Sequence, residues 1–103
     1  MNSEVLILFS REGCCLCATL EEKLSNISLT NLNPPIVLSI VYIDRKEVSI
    51  DIQRKYTNDV PVLVLDSNKL SRKIELPRVS PRLKEDMLLS WIQKNLNVFF
   101  DSS

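Results

Sequence analysis

The stretch EVLILFSREGCCLC, residues 4–17, decides how this chain folds. Its first half, Glu4 to Phe9, is aliphatic and β-branched with no polar break, the pattern of a strand covered on both faces. A turn follows at Ser10-Arg11-Glu12-Gly13, which holds the only glycine of the chain. Three cysteines then fall within four positions, at Cys14, Cys15 and Cys17. Apolar residues recur at Leu16, Leu20, Leu24 and Ile27, which is a helical spacing. A buried strand therefore runs through a tight turn into a helix whose first turn carries the cysteines.

Outward from that segment, Asn31 to Pro35 reads as a loop, because two prolines cannot continue a helix. Ile36 to Ile43 is again almost wholly apolar and reads as a second buried strand. Strand, helix and strand make a βαβ unit with parallel strands and a right-handed crossover. Val48, Ile52 and Tyr56 mark a short amphipathic helix that stops at Asn58-Asp59. Val62 to Leu65 is the third strand. Asp66 to Lys69 has turn composition and leads to Leu70–Leu76, an antiparallel edge strand whose alternation Arg72 fits poorly. Ser80-Pro81 reads as the start of a last helix. One face of that helix steps along Leu83, Met87, Trp91 and Asn95, flanked by Leu88, Ile92 and Leu96. The expected fold is α/β in the order β-α-β-α-β-β-α, a four-stranded mixed sheet with helices on both faces. It forms a single domain over residues 1–103, with its core at about 4–96.

A chain of 103 residues, 45% of them hydrophobic, can bury a core without staples. Lys plus Arg and Asp plus Glu balance at 13 each, and zero net charge argues against nucleic acid as a partner. No run approaches the ~20 apolar residues of a membrane span. Val5 to Phe9 is too short for a secretory signal core. The expected setting is cytoplasmic, with no membrane contact and a monomeric state. Disulfides there are usually transient and catalytic. Three cysteines in four positions cannot tie distant segments together, so their chemistry is local.

Geometry chooses among the cysteine pairs. Adjacent Cys14 and Cys15 would need a strained backbone to close a disulfide. Cys15 and Cys17 point to different sides of a helix. Cys14 and Cys17, three apart, are neighbours at a helix start. Cys14 lies where free N–H groups and the positive end of the helix dipole favour a thiolate, and Cys17 lies on the side of Leu20 and Leu24. Cys14 is thus the expected nucleophile and Cys17 the resolving thiol. Zinc is disfavoured and no metal is expected, because the chain has no histidine and only three cysteines.

The run Phe9-Ser10-Arg11-Glu12-Gly13-Cys14-Cys15-Leu16-Cys17 resembles the opening of glutaredoxins, and Asp59-Val60-Pro61 resembles their Thr-Val-Pro. The element order is that of the thioredoxin fold. The early position of Cys14 favours the glutaredoxin over the thioredoxin arrangement, which begins with an extra strand and helix. The resemblance implies a cis Pro61 facing the cysteine pair and substrate binding by Arg11, Val60 and Pro61, with Val60 offering backbone hydrogen bonds. It further implies a thiol–disulfide oxidoreductase acting on a disulfide-bearing protein or on glutathione. The chain departs from the family at Cys15-Leu16, where Pro-Tyr is usual. It departs again at Leu76-Pro77-Arg78-Val79-Ser80, where a Gly-Gly turn and an acidic residue would help hold glutathione. It thus looks like a divergent branch, with no tightly bound cofactor and glutathione at most a weak co-substrate. Two other readings stay open at this stage, a non-catalytic interaction module and an iron–sulfur or metal carrier.

Overall fold

The structure, a computed structural model, describes residues 4–100. The buried run at the start becomes β1, Glu4–Ser10, and the cysteine segment opens α1, Cys15–Asn26. A single 3-10 turn, Leu29–Asn31, leads to β2, Ile36–Tyr42, and then to α2, Ile50–Tyr56. The chain ends in β3, Val62–Ser67, β4, Arg72–Glu75, and α3, Glu85–Phe100. The order β-α-β-α-β-β-α is the expected one.

The four strands lie in the order β2-β1-β3-β4. β1 pairs parallel with β2 and antiparallel with β3, and β3 pairs antiparallel with β4. Central strands need cover on both faces, and β1 receives it. Leu6 and Leu8 face a large apolar cluster built with Leu20 and Leu24 of α1 and with Leu88, Ile92 and Leu96 of α3. Phe9 faces a smaller cluster on the other side, with Val62, Val64, Ile43 and Tyr56 of α2. The Phe9 and Tyr56 rings stack with centroids 4.8 Å apart. Helices α1 and α3 therefore cover one face and the short α2 the other.

Three local expectations give way to tertiary contacts. Leu16, expected on the inner face of α1, is 57% exposed, and the buried stripe is Cys17, Leu20 and Leu24. Ser80-Pro81 closes a separate turn and does not start α3. Ser80 accepts from the Leu83 amide at its carbonyl, at 3.1 Å, and from the Arg82 amide at its hydroxyl, at 3.2 Å. Lys23 of α1 donates to the carbonyls of Pro81 and Leu83, which a continuing helix would have used for its own ladder. The helix begins only at Glu85, and its buried stripe is Leu88, Ile92 and Leu96, with Met87 55% exposed. In the β3–β4 hairpin the turn moves to residues 68–71, where Ser71 takes a left-handed φ of 55°. Asp66 and Ser67 stay in β3, and Arg72 pairs with Ser67 on the edge strand.

Candidate functional site

The motif loop sits at the end of the sheet from which β1 emerges. Cys14 donates its amide to the Arg11 carbonyl at 3.3 Å, closing a turn over Glu12 and Gly13. Gly13, at φ +80°, holds the third position, where a type II turn needs a left-handed residue. That turn delivers Cys14 to the N-cap of α1, where its carbonyl accepts from the Ala18 amide at 3.0 Å. Its sulfur accepts from the Cys17 amide at 3.2 Å. Cys14 is half-buried, whereas Cys17 is 0% exposed, on the buried stripe of α1 with Leu20 and Leu24. The two form a disulfide with Cα atoms 5.2 Å apart, inside the range such a bond requires. Cys15 is an exposed free thiol. The arrangement can hold negative charge on an accessible sulfur while a second sulfur waits behind it.

Other expected site residues take different positions. Arg11 donates from its guanidinium to the Thr57 carbonyl at 3.1 Å, which ties the motif loop to the end of α2. The Val60–Pro61 bond is cis. Val62 pairs with Phe9, so one further step of register sets Pro61 beside Ser10 at the cysteine end of the sheet. Val60 directs its amide inward to the Tyr56 carbonyl at 3.1 Å, and its carbonyl is then the group it can present to a bound chain. Pro61 lines a small hollow of about 40 Å3 with Asp59, Pro77 and Arg78. Across that hollow Arg78 pairs with Asp59 at 3.2 Å. This is the place where the Gly-Gly turn was expected to be replaced.

Cys14 opens instead onto a broader cleft of about 400 Å3 on the β2 side, walled by Arg11, Glu21, Tyr42 and Arg45. Arg45 pairs with Glu12 at 3.1 Å and lies over the Tyr42 ring, 4.7 Å from its centroid. Tyr42 donates to Glu21 at 2.6 Å. That hydrogen bond to a carboxylate, helped by burial, pushes the phenol above its ordinary value. Tyr56, on the other face of the sheet, is raised chiefly by burial and secondarily by its hydrogen bond to Glu75. Sequence reasoning missed the Glu21–Tyr42 wall. The one signal for it was Glu21 itself, a charge beside the buried stripe of α1.

Residues 5–93 match the family described as glutaredoxin-like domain (DUF836). The chain belongs to this glutaredoxin-like family. Solved structures agree on the fold. A malarial protein matches at TM-score 0.60 and 22% identity, over 92% of this chain and 99% of that one. Thioredoxin-2 of the malaria parasite, a component of its protein secretion machinery, matches at 0.60 and 21%, over 90% and 84%. A point-mutant thioredoxin from Halobacterium salinarum matches at 0.57 and 22%, over 90% and 74%. These likenesses establish a thioredoxin fold for the glutaredoxin-like chain. No curated protein matches it in sequence. Among the described residues no helix is long and apolar enough to cross a membrane.

Proposed function

We propose that this glutaredoxin-like protein is a thiol–disulfide oxidoreductase working through Cys14 and Cys17. The observation that carries the reading is the asymmetry of the pair. An accessible sulfur caps the N-terminus of α1, and its partner is wholly buried one turn further on. The Cys14 thiolate attacks one sulfur of a substrate disulfide, breaking that bond and forming a mixed disulfide, and the departing thiolate takes a proton from solvent. Cys17 gives up its proton and attacks the Cys14 sulfur, which releases the second substrate thiol. The substrate gains two electrons, and the protein is left with the Cys14–Cys17 disulfide. An external dithiol, or two thiols, returns the electrons.

A polypeptide disulfide suits the site better than glutathione. The Arg78–Asp59 pair and Pro77 occupy the side on which an acidic turn would hold the tripeptide, and the hollow left there is small. Two measurements test the reading, each made with a disulfide-bonded protein substrate and a dithiol electron source. Turnover is expected in the unaltered chain and none in Cys14→Ser, and Cys17→Ser is expected to accumulate mixed disulfide. Turnover persisting in Cys14→Ser would remove the assignment.

A further inference from the structure

Two carboxylates line the Cys14 cleft, and whereas Glu12 is paired with Arg45, Glu21 is in no ion pair among the described residues. It stands seven residues beyond Cys14 on α1, which at 1.5 Å per residue separates them by roughly 10 Å along the helix. It lies over the end of the sheet where Ser10 and Tyr42 are register partners. Tyr42 donates to one carboxylate oxygen at 2.6 Å, and Ser10 donates to the other at 3.3 Å. Two neutral hydroxyls from adjacent strands thus fix a half-buried carboxylate in one orientation. Each of its oxygens can accept a further donor.

The cations nearby are otherwise engaged. Arg45 is paired with Glu12 and stacked on Tyr42, and Arg11 is bonded to the Thr57 carbonyl. Glu21 takes part in neither of the two ion pairs found among the described residues. A held carboxylate outside any ion pair, lining the same cleft as the attacking sulfur, can accept a charge-assisted hydrogen bond from a cation.

We infer that Glu21, roughly 10 Å along α1 from Cys14, selects substrates by receiving a cationic nitrogen carried by the disulfide substrate. This rests on the exchange reading given above. Two residues of extended chain span ~7 Å, and a lysine or arginine side chain covers the remainder. The same nitrogen can also be the α-ammonium of a small thiol peptide such as glutathione.

The test uses the full reduced chain and disulfide peptides that differ only two positions from the half-cystine, carrying lysine, glutamine or glutamate. Glutathione disulfide and its N-acetylated form make the second arm. The lysine peptide is expected to react about fivefold to tenfold faster than the glutamine peptide at low ionic strength, and the glutamate peptide slower still. The advantage shrinks as salt screens the pair. In Glu21→Gln the lysine-to-glutamine ratio falls to about one, while the amide oxygen can still accept from a hydroxyl. A matching loss on acetylating glutathione assigns the small-peptide source, and no such loss assigns the polypeptide source. Equal lysine and glutamine rates in the unaltered chain, or a ratio that survives Glu21→Gln, would overturn the assignment of Glu21 and leave exchange standing. No reaction with any of the peptides would overturn the exchange reading itself.

Discussion

The two sulfurs of the motif differ in access and in electrostatic setting, and the difference is measurable at single residues. In the reduced chain, alkylation at neutral pH is expected to mark Cys14 and Cys15 well before Cys17, because Cys17 is wholly buried. In the oxidised chain only Cys15 is expected to react, and peptide mass mapping reads both states. A dominant disulfide involving Cys15 would contradict the pairing. Both tyrosines of the chain have raised phenols, Tyr42 chiefly through its hydrogen bond to Glu21 and Tyr56 chiefly through burial. The folded state therefore favours their neutral forms. The stability this contributes is fully present below the unfolded value of about 10 and is lost as pH rises through the raised folded values. Alkaline titration of the phenolate absorbance is expected to lag that of the unfolded chain, and Tyr42→Phe should remove one delayed phase. Coincident titration of the folded and unfolded chains would sink the prediction. The cysteine pair was legible because a spacing of three at a helix start is a local property. The Glu21 contacts were not, since they join residues 11 and 21 positions apart along the chain.

Helix α3 carries the clearest lesson at the scale of elements. Its periodicity is strong, yet periodicity admits two neighbouring stripes, one through Met87 and Trp91 and one through Leu88, Ile92 and Leu96. Packing against Leu6, Leu8 and Leu24 selects the second. Ile92→Ala is accordingly expected to cost about 2–5 kcal/mol, and Met87→Ala about 0.5 kcal/mol or less, by urea unfolding. Equal losses at the two sites would mean that the helix is rotated from the position described. The start of α3 was unreadable for a related reason. Ser-Pro is a sound local helix signal, but Lys23, 58 residues away from Pro81 in sequence, takes the carbonyls the helix would have needed. Strands suffered less, because their runs are short and bounded by turns, and only the hairpin turn slid by two residues.

For the molecule as a whole, the order β2-β1-β3-β4 follows from general rules. A βαβ unit must cross over in parallel, a hairpin must pair antiparallel, and the most apolar strand belongs in the centre. The placement of open space did not follow, since a cleft depends on side chains from several elements at once. The motif loop opens toward β2, while the Pro61 side is narrow and crossed by Arg78 and Asp59. Reduced glutathione is therefore expected to bind Cys17→Ser protein blocked at Cys14 only in the millimolar range or weaker. A low-micromolar dissociation constant by calorimetry would show the crossed hollow to be no obstacle. The central claim is that Cys14 and Cys17 are a two-electron couple. It is tested most directly by equilibrium titration of the Cys15→Ser protein against glutathione and against a dithiol buffer, read by mass. The account predicts one complete transition in both buffers, about 30 mV per tenfold change in the oxidised-to-reduced ratio, with that ratio falling as the square of the reduced glutathione concentration at fixed glutathione disulfide. A protein that stops as a glutathione mixed disulfide, or that never closes Cys14 to Cys17 in either buffer, would contradict it.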